Sequence, residues 1–178
     1  MAGTPADALA RRVYHVSHVV GTFRLRSGAV SHEYFDKYLF EADPVLLRRL
    51  GEALATRVPD TTDAIAGLEL GGVPLATIVS QLSGLPTLFV RKEPKTYGTC
   101  RLAEGGEIAG RRLTVVEDVV TTGGQLLKSC AALRERGAEI TAVLSVIDRQ
   151  QGGGEALHAA GLHFRPLFTM EQLLAAAA

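Results

Sequence analysis

The sequence predicts an α/β fold: a twisted parallel sheet flanked by helices, with a small hood over its carboxyl edge. Three observations carry this. First, past Asp63 short apolar runs without alternation cover residues 64–67, 87–90, 113–116, 142–147 and, more weakly, 162–167. Runs of that length and texture suit strands buried on both faces. Second, stretches of helical spacing at 73–83, 124–136 and 153–160 separate them, the alternation that builds a parallel sheet covered by helices. Third, the chain has 178 residues, 47% apolar and 21% charged, which is one compact globular domain. Right-handed crossovers leave ligand sites at the carboxyl ends of such strands. The loops after Gly67, Val90, Val116 and Ile147 are therefore where chemistry belongs.

The segment before this core reads differently. Residues 5–20 place Leu9, Val13, Val16 and Val20 at helical spacing. Residues 23–27 read as a short strand, Gly28 as a turn, and 32–40 as an extended return arm. This makes a hood of about residues 1–42 over a core of about 43–178. Asp43-Pro44 starts a helix, an N-cap acceptor followed by the residue that needs no N–H there. Leu46, Leu50, Leu54 and Val58 then recur on one face.

Charge and cysteine content narrow the function. Lys plus Arg and Asp plus Glu each number 19, a balance that argues against duplex nucleic acid, whose binding draws on clustered cations. A small anionic ligand needs only a local excess of positive charge. Two cysteines, Cys100 and Cys130, make neither a metal cluster nor a disulfide framework. Cys130 lies in line with Leu126 and Leu133 and reads as core, while Cys100 has no assigned role. The histidines at 15, 18, 32, 158 and 163 show no metal-ligand spacing. No run approaches the roughly 20 apolar residues of a membrane span, and MAGTPADALARR has no apolar signal core. A cytoplasmic location is expected.

The most informative segment is Leu113-Thr-Val-Val-Glu117-Asp118-Val119-Val120-Thr121-Thr122-Gly123-Gly124-Gln125. An apolar strand ends in adjacent carboxylates, continues through threonines and glycines, and opens a helix. Threonine hydroxyls and glycine N–H groups at a helix N-terminus form an anion cradle. No Lys-Ser/Thr pair follows, so this is not a Walker A loop. A carboxylate pair before a phosphate cradle suits a sugar phosphate: the acids accept from a vicinal diol while the turn holds the phosphate. The alternative is a capped turn with a solvated acidic pair.

Three further segments are suited to the same ligand. Gly71-Gly72, after Gly67-Leu-Glu-Leu, let the backbone approach a ligand and present N–H groups; otherwise they are a flexible connector. Residues 91–101 hold Arg91, Lys92, Lys95 and Arg101 against one acid, Glu93, with Gly98, Gly105 and Gly106 as hinges. That composition suits a loop closing over a polyanion, or simply a solvated loop. Arg149 ends the fourth strand with a planar fork that pairs two-pronged with a carboxylate, unless it contacts Asp148 or Glu117 structurally.

VVEDVVTTGG closely resembles the phosphoribosyl-pyrophosphate (PRPP) loop of the type I phosphoribosyltransferases, and its wording is similar to the orotate phosphoribosyltransferases in particular. FRLRSG at 23–28, YFDK at 34–37, GLELGGVPLA at 67–76, VRKEPKTYGT at 90–99 and IDRQQGG at 147–153 extend the resemblance over most of the chain in the family's order. The resemblance implies the type I phosphoribosyltransferase fold and Mg²⁺-dependent transfer of ribose 5-phosphate from PRPP to orotate. The products would be orotidine 5′-monophosphate and pyrophosphate. It implies that Glu117 and Asp118 hold ribose, Val119 to Gln125 the 5-phosphate loop, and Gly71, Gly72, Arg91, Lys92 and Lys95 pyrophosphate. Arg149, Thr121 and Lys37 would orient orotate, and Lys37 would also stand at the reacting centre with Lys95 and Asp118. Mg²⁺ would arrive on PRPP, with Asp118 the one candidate side chain for it. The resemblance also implies a homodimer whose loop 92–107 reaches the neighbouring active site. Tyr97 departs from the family's usual His and cannot carry positive charge near neutral pH. The alternatives are transfer to another base such as a purine, or a PRPP-binding regulator without catalysis.

Overall fold

The computed structural model describes residues 4–24, 28, 30–94 and 101–178. A six-stranded sheet runs in the order β5-β4-β3-β6-β7-β8, beside a separate two-stranded β1-β2 hairpin. The strands are β1 His18–Arg24, β2 Val30–Phe35, β3 Ala64–Leu68, β4 Thr87–Val90, β5 Ala103–Glu104, β6 Arg112–Val120, β7 Glu139–Asp148 and β8 Phe164–Thr169. Within the six-stranded sheet every pairing is parallel except β4 with β5.

The missing alternation in the apolar runs has a direct cause. Ala64, Ala66 and Leu68 of β3 face one core with Leu126, Cys130 and Leu133 of helix α5 (Gly124–Glu135) and Leu157 of α6 (Gly153–Ala159). Ile65 faces the other, with Leu46, Leu50 and Leu54 of α3 (Pro44–Ala55) and Leu75 and Val79 of α4 (Gly72–Ser83). That second core also takes Ala10 and Val13 of α1 (Pro5–Ser17), Phe40 of α2 (Lys37–Ala42) and Leu173 of α7 (Met170–Ala177). Cys130 is core, as expected, and burial pushes its thiol up to about 12.

The hood differs from expectation at two points. The first helix ends at Ser17, and Val20 stands in β1, exposed. The arm expected over 32–40 is extended only to Phe35; residues 37–42 turn into α2. Asp36 is the reason: its side chain accepts from Tyr38 N at 3.0 Å as an N-cap, and Phe40 is then fully buried. Lys37 therefore stands at the start of a helix, not on a strand.

Strand β6 is longer than its apolar run. It continues through Glu117 and Asp118 because backbone pairing with β7 persists to Val120 opposite Asp148. Chain order reverses between β3 and β6, the switch point where open α/β sheets place their ligands. The loop expected over 92–107 is also shorter than composition suggested. Leu102 and Ala103 are buried and β5 pairs with β4, so the chain rejoins its own sheet by residue 102. Residues 95–100, with Lys95, Tyr97 and Cys100, lie outside the described residues.

Candidate active site

Two loops meet at the switch point. After β3 the chain passes Glu69, Leu70 and Gly71 into α4; β6 ends beside it with Glu117 and Asp118. A Cβ on Gly71 would fall onto Asp118 Oδ2 and lie 2.6 Å from Glu41 Oε1, and one on Gly72 would strike the carbonyl oxygen of Val116. The paired glycines thus let the start of α4 press against β6. Glu69 accepts from Lys92 N at 2.7 Å, which ties the start of the basic segment to the same loop. Arg91 pairs with Glu104 at 3.7 Å.

The two acids have separate environments. Asp118 is fully buried. Its Oδ1 accepts from Val119 N at 2.5 Å, and Lys37 Nζ lies 2.5 Å from Oδ2. Burial alone would lower the Lys37 pKa, but the bond to Asp118 and its charge more than offset that, so the ammonium is held above its usual range. Glu117 accepts from Asp118 N at 3.0 Å; burial and the neighbouring Asp118 charge raise its carboxyl well above the ordinary value. Glu41, four residues along α2 from Lys37, reaches the same point. Burial, then the Asp118 charge, pushes it up to about 9.

Beyond the acids, Val119 to Gln125 line a cavity of about 280 Å³ with Glu117 and Leu126. Gly123 has φ +74° and precedes the first turn of α5, a left-handed step that glycine takes without strain. A Cβ on Gly153 would lie 3.2 Å from Gly123 N and closer still to the Thr121 carbonyl oxygen. The glycines after Arg149 thus let α6 support the cradle. A second cavity of about 480 Å³ shares Val119 and Thr121 with the first. Phe35, Tyr34, Tyr38 and Val119 supply apolar wall, while Lys37 and Arg149 supply positive charge. Arg149 Nε is buried without a hydrogen-bond partner; Asp148 instead accepts from Gln150 N at 2.8 Å. The arrangement is a buried carboxylate, an anion cradle and a cationic, partly aromatic cavity in one line.

Comparison with known proteins assigns this line to a family. The phosphoribosyl transferase domain model matches residues 41–160. An orotate phosphoribosyltransferase from a Nocardioides species is 52% identical over 168 residues, covering 94% of each chain. One from Methanocella arvoryzae is 43% identical over 86% of this chain and 88% of its own. The chain belongs to the orotate phosphoribosyltransferases. Structure agrees: the Mycobacterium tuberculosis orotate phosphoribosyltransferase in complex with PRPP superposes with a TM-score of 0.80 at 30% identity, over 94% of this chain and 98% of that one. The type I fold and the phosphoribosyltransferase class expected from the motifs both hold.

For an orotate phosphoribosyltransferase, several walls of this site were not legible in the motifs. Glu41 and Tyr38 each face it, and the sequence offered only their neighbours: YFDK stops one residue short of Tyr38, whereas Gly153 closes the IDRQQGG motif. Gly71 gives a direct test of the geometry. Gly71→Ala must displace Asp118 or the α4 N-terminus, so we expect the fold to persist and kcat/KM for PRPP to drop about tenfold, roughly the 1.4 kcal/mol of one weakened charge-assisted bond. Steady-state kinetics with circular dichroism checks it; parental kcat/KM would show that the loop has room to spare.

Proposed function

We propose the following division of labour for transfer of ribose 5-phosphate from PRPP to orotate. Glu117 and Asp118 accept from the ribose diol, and residues 121–125 hold the 5-phosphate with Thr121 and Thr122 hydroxyls and the backbone N–H groups of the turn. Gly71, Gly72, Arg91, Lys92 and Lys95 receive pyrophosphate. Arg149 pairs with the orotate carboxylate, and the Thr121 backbone orients the ring. The observation that supports this most is the cationic cavity beside the cradle: the half-buried Arg149 has a buried, unpartnered Nε there, next to apolar walls that fit a planar acid.

The reaction breaks the bond from the anomeric carbon to pyrophosphate and forms one from that carbon to an orotate ring nitrogen. Positive charge develops on the sugar while the leaving group carries the electron pair away. The chain's part is to hold both reactants, keep water from the cation with Phe35, Tyr34 and Val119, and stabilise the departing anion with its basic segment. Mg²⁺ fits as a substrate-borne ion. Among the described residues no three carboxylate, imidazole or thiolate groups converge as a cage, and this hard ion prefers phosphate oxygens with few protein ligands. It would neutralise pyrophosphate charge. Lys37 and Lys95 complete the set near the reacting centre. We place the enzyme in the cytoplasm and as a homodimer; no helix among the described residues is long and apolar enough to cross a membrane.

Arg149→Ala tests base choice. Loss of a charge-assisted carboxylate contact, about 1.5–3 kcal/mol, should weaken orotate binding about 10- to 100-fold and leave PRPP binding within about threefold. Calorimetry with each ligand checks it. Equal weakening of both ligands would make Arg149 a structural residue, and a variant that gains a purine base would favour the alternative substrate.

A further inference from the structure

Helix α2 delivers two charged side chains to one point. Lys37 and Glu41 are four residues apart, hence on one helical face. Lys37 Nζ lies 2.5 Å from Asp118 Oδ2. Glu41 comes to the same carboxylate: a Cβ on Gly71 would fall onto Asp118 Oδ2 and lie 2.6 Å from Glu41 Oε1. Glu41 is 8% exposed, and its Oε1 is buried without a hydrogen-bond partner of good geometry. Phe40, fully buried beside it, fixes the helix.

An acid in this position is costly. A buried polar group without a full set of partners destabilises the fold, and a second carboxyl beside the Asp118 charge has to give up its own charge near neutral pH. A hydrocarbon of similar volume would pack there at lower cost. The side chain therefore has a use other than stability, and the group it faces names that use.

We propose that Glu41 is a positioning residue for the ribose site: its carboxyl group meets Asp118 beside Lys37 and fixes the direction in which Asp118 accepts from the sugar diol. It does not itself touch substrate, because Asp118, Gly71 and its own helix cover it. With Glu41 in place, Asp118 is held on three sides, by Val119 N, by Lys37 and by Glu41. Without its carboxyl group, Asp118 loses one of the partners that fix its rotation and can turn about its Cα–Cβ bond, carrying the Lys37 ammonium along. The inference rests on the reading of Asp118 as the ribose carboxylate.

Glu41→Leu and Glu41→Gln test it. Leucine fills the space without polar atoms, and we expect its melting temperature to equal or exceed the parent's while KM for PRPP rises about tenfold, one charge-assisted bond's worth. KM for orotate should rise less than KM for PRPP, since Arg149 follows β7 and only Lys37 and Tyr38 of its cavity share α2 with Glu41. Glutamine keeps an amide that can bond to Asp118, so it should recover at least half of the loss on a logarithmic scale. In an Asp118→Asn background, Glu41→Leu should cost nothing more, because the group it positions has gone. A Leu variant with parental KM for PRPP overturns the inference. So does a Gln variant no better than Leu, or a Leu variant whose only change is a lower melting temperature. If Leu does not fold, the Gln variant alone and in the Asp118→Asn background carries the same test. Should Asp118→Asn itself use PRPP normally, the ribose reading fails; if only the Glu41 variants behave as the parent, that reading stands and the positioning role falls.

Discussion

Asp118→Asn should fold and lose at least about a hundredfold in kcat/KM for PRPP, the cost of roughly 2.7 kcal/mol in bonds to a charged acceptor. The geometry gives the sign of each contact. Asp118 Oδ1 accepts from Val119 N, and an asparagine oxygen can continue to do so. The second oxygen faces Lys37, and an amide NH₂ there sets donor against ammonium. The same NH₂ offers a donor where the ribose diol also seeks an acceptor. Stability moves less, because two effects oppose: the Lys37–Asp118 ion pair is lost, while the cost of keeping the Glu41 carboxyl protonated beside the Asp118 charge is relieved. Removing the Asp118 charge should also bring the Glu41 carboxyl down from about 9, since that charge is the second cause of its elevation after burial. Steady-state kinetics at varied PRPP, with a melting curve, checks the result. A variant that turns over PRPP as the parent does would show that Asp118 serves the fold and not the sugar.

What could be read from sequence follows from how each element is stabilised. Strands β3 and β7 are buried on both faces, so their apolar runs identify them without any structure. The acid pair and TTGG could be placed because a charged dipeptide after such a run has few purely structural uses. Helix α2 could not be. Six residues are too few for a period to show, and the β-prone Tyr34-Phe35 before it extends the strand reading by inertia. The Asp36 cap is visible only once the end of β2 is known. Glu41 was hidden for a related reason: one acid in a short helix reads as solvated, and its burial arises from the approach of Gly71, a contact across 30 residues of chain. Ala103 and Glu104 were read as loop because two residues cannot display alternation; they are a strand only because β4 lies beside them.

The basic segment sets the second large effect. Glu69 holds Lys92 N, and Leu102 and Ala103 are buried in the chain's own sheet, so the stretch that can reach outward runs between these anchors. The nine residues between them, leaving and returning, reach at most roughly 18 Å, given about 3.3–3.6 Å per extended residue. Lys95 can therefore serve a neighbouring site only if that site lies close to the β4–β5 edge, a tighter condition than a free loop to residue 107 would impose. We expect this condition to be met, with Lys95 acting on PRPP bound at the partner's Asp118. Lys95→Ala and Asp118→Ala homodimers should each lose nearly all activity. After the two are unfolded and refolded together, each mixed dimer regains one intact site, built from one chain's Asp118 and the other chain's Lys95. Random pairing of the two variants should then restore about a quarter of parental activity, since half the dimers are mixed and half their sites are whole. A loop acting within its own subunit leaves a lesion in every site, and the mixture stays dead. Native mass spectrometry confirms that mixed dimers formed. Recovered activity that follows their abundance establishes the shared site, and a dead mixture containing them places Lys95 on its own subunit's substrate.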